Sequence, residues 1–263
     1  MSPRDNRQFS GANEQETAAK VPESPINSKQ KLNCQMSHKF ISLVLPVYKQ
    51  ADHIGDVVKE YEAMLSHISH ETILVVNGDG DASLDVCRAL GVQYGTVRTT
   101  YSEHTGWGRA VKLGLRVAKG DVLCYTNAAR TRPSDLKNFI YAALDNPTMV
   151  VKAKRCRRRP LKRKLGTLLY NLECRALFAL PTRDVNGTPK VFRRDVYTAI
   201  NLQSDDGLID LEFNIKCKRL GVPMLEIPIH SRDRHGGRST TDYRSAIRMY
   251  RGAFKMWRIM RRN

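Results

Sequence analysis

The feature that most constrains this chain is a regular alternation of short apolar runs and helix-spaced segments between residues 40 and 153. The runs Phe40–Leu45 and Thr72–Val76 are short and apolar enough to be buried strands, and the segment between them carries apolar residues at helical spacing. Runs at 121–126 and 148–153 repeat the pattern. Such repetition predicts an α/β fold with a mostly parallel central sheet and helices on both faces.

The remaining elements follow less regularly. A short helix over Ser83–Leu90 is predicted to end at Gly91, and a third strand to follow at about Val92–Val97. Further along, the sequence predicts a helix over Leu165–Leu180 and a turn that runs into a strand over Asp184–Arg194.

Three regions are expected along the chain. Residues 1–38 carry many Ser, Asn, Gln, Glu and Pro, a composition typical of a disordered tail. Residues 39–241 form one domain, because the length suits a single large core. Residues 242–263 form a basic helix with an aromatic stripe, which suits either packing on the domain or contact with an anionic membrane.

The charge predicts an anionic partner. Lys and Arg number 44 against 26 Asp and Glu, a net charge of +18, which suits nucleic acid, an anionic membrane surface or a phosphorylated substrate. No nucleic acid is expected, because the basic runs, including 155–164, lack interleaved aromatics and the chain has no nucleic-acid-binding motif. Six cysteines without a CxxC pair favour reduced thiols in a cytoplasmic protein, with Cys87 and Cys124 on apolar faces.

The strand at 121–126 ends in a polar, basic turn that contains Asn127, Arg130 and Arg132. Open α/β sheets bind their ligands outside the carboxyl ends of the strands. This turn is therefore the first candidate for a binding site.

Several segments together resemble family 2 glycosyltransferases of the GT-A (nucleotide-diphospho-sugar transferase) fold, in their polyprenyl-phosphate, dolichol-phosphate mannosyltransferase-like branch. The resemblance spans about residues 40–241 and depends on the order and spacing of its motifs. These motifs are Leu43–Tyr48, the turn Asn77–Asp81, the Gly- and Ala-spaced stretch Gly106–Asp121, Asp184–Arg194, Asp210-Leu-Glu212, Glu226-Ile-Pro228 and Arg234–Ser239.

The resemblance implies inverting transfer from a nucleotide-sugar donor to a polyprenyl-phosphate or glycan acceptor. On the donor side it implies contacts to base, ribose and diphosphate from Pro46, Tyr48, Asn77, Gly78, Asp79, Gly106 and Gly108. On the catalytic and acceptor side it implies Lys190 and Arg193 at phosphate, Asp210 and Glu212 near the acceptor, and Asp184, Arg234 and Ser239 around it.

One motif departs from the family pattern. The family carries an Asp-x-Asp that binds Mg2+ or Mn2+ after the fourth strand, and the matching positions here are Asn127 and Ala129. The resemblance implies the metal cofactor, whereas the loss of both carboxylates argues against it. We expect the guanidinium groups of Arg130 and Arg132 to replace the metal at the diphosphate.

The acceptor and the activity leave alternatives open. A lipid phosphate is already ionised and needs no strong base, whereas a sugar hydroxyl in surface polysaccharide synthesis needs a carboxylate, with Asp206, Asp210 and Glu212 as candidates. A catalytically inactive relative that only binds the donor is the other alternative. The expected location is the cytoplasmic side of a membrane, with the protein peripherally bound, because no apolar run is long enough to span a bilayer. A membrane partner protein is a further candidate partner.

Overall fold

The computed structural model of the protein describes residues 39–78, 82–156, 161–230 and 243–262. Within these residues the strands are β1 (Ile41–Val47), β2 (His70–Asn77), β3 (Val97–Ser102), β4 (Val122–Tyr125), β5 (Val150–Arg155), β6 (Lys190–Arg193) and β7 (Met224–Ile229). They form one sheet in the order β3-β2-β1-β4-β6-β5-β7. The predicted tail, residues 1–38, lies outside the described residues.

The sheet is mostly parallel, as predicted. Only β6 runs antiparallel to its neighbours β4 and β5, and the other paired strands are parallel. Every residue of β1 and of β2 is buried. Central parallel strands are buried on both faces because the crossover helices cover both sides of the sheet.

The described helices are α1 (Ile54–Leu65), α2 (Ser83–Gln93), α3 (Trp107–Val117), α4 (Pro133–Asp145), α5 (Leu161–Phe178), α6 (Arg194–Ile200), α7 (Ile209–Arg219) and α8 (Tyr243–Arg262). One apolar cluster joins α1, α2 and α4 to one face of the sheet, and a second joins α3, α6 and α7 to the other. The predicted thiols Cys87 and Cys124 lie buried in the first cluster. Helices therefore cover both faces, as the sequence predicts.

A third apolar cluster joins α5 and α8 to α7. The rings of Tyr170 and Tyr250 meet edge to face with centroids 5.5 Å apart, and the Tyr250 hydroxyl donates to the carbonyl of Gly166 at 2.6 Å. The predicted basic helix at the end of the chain is therefore packed on the domain along one side. None of the described helices is both long and apolar enough to cross a bilayer.

The third strand differs from its prediction. The helix α2 continues through Gly91 to Gln93, and β3 covers Val97–Ser102 instead of Val92–Val97. A side chain at Gly91 would meet only the Val97 carbonyl, at an ordinary 3.5 Å, so the helix has no local reason to stop there. β3 is one of the two edge strands of the described sheet, and its sequence Val-Arg-Thr-Thr-Tyr-Ser lacks the apolar run that marks a buried strand.

Candidate active site

The carboxyl ends of β1, β2 and β4 meet at one edge of the sheet, because β1 pairs in parallel with both neighbours. Pro46 is buried near the end of β1, and Tyr48 follows as a half-buried side chain with the Lys49 ammonium 5.6 Å from its ring centre. Asn77 ends β2. The structure thus brings Pro46, Tyr48 and Asn77 to the edge where open α/β sheets bind ligands. Asp79 lies outside the described residues.

Asn77 ties the end of β2 to the loop before α3. Its side-chain amide donates to the carbonyl of Gly106 at 3.2 Å and accepts the Gly106 N–H at 3.0 Å. Gly78 follows with φ at +81°, and a Cβ there would lie 2.4 Å from the methyl group of Thr105. Asn77 and Gly78 therefore shape the loop over this edge of the sheet, and their contact with a nucleotide stays a prediction.

The glycines at 106 and 108 permit a close approach between two segments of the protein. A Cβ at Gly108 would lie 2.4 Å from the Ser204 carbonyl oxygen, and one at Gly106 would lie 2.5 Å from that of Asp205. The Arg109 N–H donates to the Asp205 carbonyl at 2.9 Å. The family resemblance implies that a nucleotide lies against these glycines. In the structure, the segment 204–206 lies against them.

Glu212 holds the segment 203–206 in place. Its two carboxylate oxygens accept the backbone N–H groups of Gln203 at 2.8 Å and Ser204 at 2.7 Å, and the Lys216 ammonium lies 2.6 Å from one of them. Burial raises the pKa of Glu212, but the hydrogen bonds from Lys216, Ser204 and Gln203 outweigh it and leave the pKa below its ordinary value. Glu212 is therefore an ionised carboxylate whose oxygens are occupied by the protein.

Asp210 is the centre of a buried hydrogen-bonded cluster. One of its oxygens accepts hydrogen bonds from the Lys190 ammonium and from the Tyr125 hydroxyl at 2.9 Å, and the other accepts the Trp107 indole N–H at 3.2 Å. Burial raises the pKa of Tyr125 and the charge of Asp210 raises it further, so the phenol stays a donor. Burial lowers the pKa of Lys190, against the attraction of Asp210. Both oxygens of Asp210 are therefore engaged inside the protein.

Lys152 is a second buried ammonium, which the sequence patterns do not single out. It is the register partner of Lys190, and its Nζ donates to the Thr182 hydroxyl and the Asp184 carbonyl at 2.5 Å and to the Glu226 carboxylate at 3.2 Å. Burial and then the charge of Lys190 lower the pKa of Lys152 to about 8. A lysine inside the apolar run of β5 is the signal that could have found it, since an unpaired buried charge is costly.

Asp184 joins the same network through its carbonyl, and its carboxylate binds Arg155. The Arg155 guanidinium donates to both oxygens of the Asp184 carboxylate at 2.7 Å, and the Arg155 N–H donates at 3.1 Å. This bidentate contact fixes the end of β5 against the turn that precedes β6. Arg234 and Ser239, predicted beside Asp184 around the acceptor, lie outside the described residues.

Arg193 lies away from the site. Because β6 is antiparallel to β4, Lys190 aligns with Tyr125 at the carboxyl end of β4, whereas Arg193 aligns with Val122 at its amino end. Arg193 is three residues along the strand from Lys190, a distance of about 10 Å. The Arg193 guanidinium is exposed and pairs with Asp195 at 2.8 Å. The structure therefore does not bring Arg193 together with Lys190 at the carboxyl end of β4, and its predicted phosphate contact stays a prediction.

The basic turn after β4 is closed by its own backbone. The Asn127 carbonyl accepts the N–H groups of Arg130 at 3.1 Å and Thr131 at 3.2 Å. Ala129 is buried, Arg130 is half-buried, and Arg132 is exposed immediately before α4. The turn therefore holds both arginines next to the carboxyl end of β4.

The residues described at this turn do not fit a firmly held divalent cation. The side-chain oxygen of Asn127 is buried without a hydrogen-bond partner in the described part of the chain, and Ala129 has no ligand atom. No group of three or more His, Cys, Asp or Glu side chains placed to hold a metal occurs among the described residues. Mg2+ and Mn2+ require several oxygen ligands. A lone amide oxygen instead suits a hydrogen-bond donor of a ligand.

A sequence model of the family described as "Glycosyl transferase family 2" matches residues 42–200, more than half of the 263 residues. The match begins in β1 and ends with α6. It therefore includes the edge of the sheet at β1, β2 and β4 and the basic turn.

Curated relatives share part of this chain. It is 22% identical over 167 residues to the undecaprenyl-phosphate 4-deoxy-4-formamido-L-arabinose transferase of Pseudomonas savastanoi pv. phaseolicola, covering 62% of this chain and 50% of that protein. The transferase of the same name from Edwardsiella ictaluri is 22% identical over 207 residues, covering 76% and 62%. The chain thus spans between half and about two thirds of the length of these relatives.

Solved structures share the fold. The glucosyl-3-phosphoglycerate synthase of Mycobacterium tuberculosis, in complex with Mn2+, UDP-glucose and phosphoglyceric acid, superposes with a TM-score of 0.68 at 16% identity, covering 89% of this chain and 84% of that one. A further mycobacterial protein superposes with a TM-score of 0.69 at 18% identity, covering 88% and 78%. At these identities the likeness shows the fold, which is the fold that the sequence predicts.

Proposed function

This chain belongs to glycosyl transferase family 2, and we propose that it moves a sugar from a nucleotide-sugar to the phosphate of a polyprenyl phosphate. It is a glycosyltransferase of the GT-A fold. The proposal concerns its donor and its acceptor. The names of the undecaprenyl-phosphate transferases support this acceptor class and a role in cell-envelope glycan synthesis.

The observation that carries the proposal is that Asp210 and Glu212 are both occupied by the protein. Asp210 accepts hydrogen bonds from Lys190, Tyr125 and Trp107, and Glu212 accepts them from Lys216 and two backbone amides. A sugar hydroxyl needs a carboxylate base that is free to take its proton. A phosphate monoester, with a second pKa of about 6, is already ionised at neutral pH. The carboxylates at 210 and 212 therefore favour an acceptor that brings its own charge.

The transfer follows from this choice of acceptor. A phosphate oxygen of the acceptor attacks the anomeric carbon of the sugar while the bond from that carbon to the donor diphosphate breaks. The nucleoside diphosphate leaves with the bonding electrons, and the configuration at the carbon inverts. The tasks left to the protein are to position both substrates and to stabilise the leaving diphosphate.

The donor side of the proposed site is the edge of the sheet at β1, β2 and β4. The half-buried ring of Tyr48 would lie against the base, and the unsatisfied oxygen of Asn127 would accept a hydrogen bond from the donor. Arg130 and Arg132 would neutralise the diphosphate, because guanidinium groups bind phosphate oxygens in a bidentate manner. The mycobacterial synthase is in complex with Mn2+ as well as UDP-glucose; we propose arginine to neutralise the diphosphate here.

A sugar hydroxyl acceptor is the second candidate, because of Asp206. This carboxylate is exposed and accepts the Leu208 N–H at 2.9 Å, so one of its oxygens remains open to solvent. It would have to serve as the base for a hydroxyl acceptor. The two candidates therefore differ in whether Asp206 is needed.

A transfer assay tests the proposal. Purified protein is incubated with radiolabelled UDP-, GDP- and dTDP-sugars and either undecaprenyl phosphate in detergent or a glycan acceptor. We expect an organic-soluble product that mild acid cleaves to the free sugar, formed equally well by the Asp206→Asn variant. Label in the glycan alone, lost in Asp206→Asn, would establish the second candidate. Tight donor binding without any product would contradict the proposed activity.

The proposed acceptor lies in a membrane, so we propose that the protein works at the cytoplasmic membrane surface. Its net charge of +18 supports attraction to anionic lipids. Counterion screening would weaken this attraction at high ionic strength.

A further inference from the structure

We propose that the exposed faces of α5 and α8 form one surface that docks on an anionic lipid bilayer. We name it the α5–α8 surface; it consists of Leu165, Leu168, Leu169 and Leu172 of α5 and of Ile247, Arg251, Phe254, Lys255, Arg258 and Ile259 of α8. The inference builds on the proposed lipid acceptor. Its test does not use that lipid.

The leucines of α5 form an exposed apolar stripe. Leu165, Leu168, Leu169 and Leu172 recur at the spacing of one helix face and are each between 49% and 61% exposed. Single exposed leucines are common on protein surfaces, whereas a contiguous stripe marks an interaction site. Four leucines on one face of one helix therefore call for a binding partner.

The stripe is exposed because the opposite face of α5 is anchored in the domain. Tyr170 and Cys174 are buried in the cluster with α7 and α8, and the Asn171 side chain accepts the Val185 N–H at 3.0 Å. These three residues fix the rotation of α5 about its axis. The leucines must therefore point away from the core.

The helix α8 lies alongside α5 and adds positive charge. Ile247, Phe254 and Ile259 are exposed on it, interspersed with the exposed cations Arg251, Lys255 and Arg258. A groove of about 520 Å3 runs between the two helices; it is lined by Glu173 of α5 and by residues of α8 that include Phe254, Arg251 and Arg258. Glu173 is the one carboxylate there, and burial raises its pKa.

This combination suits a bilayer in particular. Aliphatic side chains beside Lys and Arg are the composition of helices that lie in the membrane interface, with the apolar groups at the acyl boundary and the cations at the headgroups. Two copies of this chain would bring the same cations of α8 face to face and repel each other. An anionic lipid surface complements both the apolar stripe and the charge.

The surface also lies next to the acceptor side of the site. A Cβ at Gly252 of α8 would lie 2.4 Å from the Leu208 side chain, and Ala253 shares a buried cluster with Leu211. These contacts join α8 to the segment that carries Asp210. Docking through α8 would therefore bring the acceptor side of the site to the lipid phosphates.

Vesicle flotation tests the inference. The full chain is mixed with phosphatidylcholine vesicles that contain no polyprenyl phosphate. One set has no anionic lipid, and the other has about 30% phosphatidylglycerol, which gives the surface a negative charge. We expect binding to the anionic vesicles, and about tenfold or greater loss of binding in a Leu168→Glu, Leu172→Glu double variant. The matched control is the Val92→Glu, Leu220→Glu double variant, which adds the same two charges at residues that are 90% and 51% exposed and lie outside the surface.

Equal binding of the Leu168→Glu, Leu172→Glu variant and the Val92→Glu, Leu220→Glu control would overturn the inference, as would a failure of the wild type to bind anionic vesicles. If light scattering shows the wild type as a dimer and the Leu168→Glu, Leu172→Glu variant as a monomer, and the wild type does not bind vesicles, the inference would be overturned in favour of self-association. Circular dichroism confirms that the variants are folded. Transfer to a short-chain, water-soluble polyprenyl phosphate should persist in the Leu168→Glu, Leu172→Glu variant, so loss of docking and failure of the proposed function give different results.

Discussion

Lys152 and Lys190 are register partners on the antiparallel strands β5 and β6, and both side chains are fully buried. Two ammonium groups in the interior need anionic partners, and Lys190 pairs with Asp210 while Lys152 pairs with Glu226. Lys152 also donates to the neutral carbonyl of Asp184. These partners come from α7, from β7 and from the turn before β6. Charge pairing therefore joins the elements that surround the proposed acceptor side of the candidate site.

The first prediction is that Lys152 makes stability depend on pH. Its pKa is about 8 in the folded protein and 10.5 ordinarily, so between these values the unfolded chain binds more protons and the free energy of unfolding rises with pH. The rise is at most on the order of 3 kcal/mol, at about 1.4 kcal/mol per pH unit. Urea unfolding from pH 7 to 10 should show this rise in the wild type relative to Lys152→Met. Parallel curves would contradict the prediction.

The second prediction concerns the close approach at Gly108. Gly108→Ala places a Cβ against the Ser204 and Asp206 carbonyl oxygens, at 2.4 and 2.7 Å, so the segment 203–206 must move. We expect a loss of about 1–3 kcal/mol in unfolding free energy and slower transfer. Gly55→Ala is the control, because nothing lies within 4 Å of a Cβ there and helix propensity favours alanine. Equal stability of the two variants would show that the segment yields without cost.

The fold could be predicted where burial leaves a pattern in the sequence. β1 and β2 are buried on both faces, and their apolar runs mark them directly. β3 lies at the edge of the sheet with a polar sequence, and α2 continues past Gly91, so the local signals there point to the wrong boundary. A glycine predicts a helix end where the backbone takes a positive φ, and Gly91 does not have one.

The arrangement of the candidate site residues could be predicted only in part. The family resemblance singles out Lys190 and Asp210, and the structure joins them. The resemblance gives no reason to separate Lys190 from Arg193, because the direction of β6 depends on pairing with β4. The partners of Lys152 lie 30 and 74 residues away along the chain, at Thr182 and Glu226, and only the folded sheet brings them together.

The third prediction is that Glu212 acts as a positioning residue. Glu212→Gln retains one acceptor oxygen, so a backbone N–H of 203–204 and the Lys216 ammonium lose their partner. We expect a loss of about 1–3 kcal/mol in unfolding free energy. Because the folded pKa is lowered, this contribution is present above the ordinary value of 4.5 and is lost as the pH falls below it.

Urea unfolding of Glu212→Gln at pH 7 and pH 3.5 measures this effect, with the exposed Asp145→Asn as control for the change in net charge. The difference from wild type should shrink at pH 3.5. Transfer by Glu212→Gln should also slow at neutral pH while its pH–rate profile keeps the wild-type shape, since Glu212 does not exchange protons in the proposed reaction. A shifted profile would identify Glu212 as the base and contradict the prediction.

The fourth prediction separates two arginines that the sequence alone treats alike. Arg132 lies on the basic turn at the carboxyl end of β4, whereas Arg193 lies at the amino end of that strand and pairs with Asp195. If Arg132 neutralises the diphosphate, Arg132→Ala should weaken binding of the nucleoside diphosphate about tenfold or more, because a charge-assisted hydrogen bond contributes about 1.5–3 kcal/mol. Arg193→Ala removes the same charge and should leave binding unchanged.

Isothermal titration calorimetry with UDP, GDP and dTDP, in Mn2+ and again in EDTA, measures both variants against the wild type. Since the residues described at Asn127 and Ala129 do not fit a firmly held cation, we expect the wild-type affinity to be the same in EDTA. Affinity that requires Mn2+ and is insensitive to Arg132→Ala would show that a metal, held in part by residues outside the described ranges, neutralises the diphosphate. Equal losses in Arg132→Ala and Arg193→Ala would instead mean that only the net charge of the protein attracts the nucleotide.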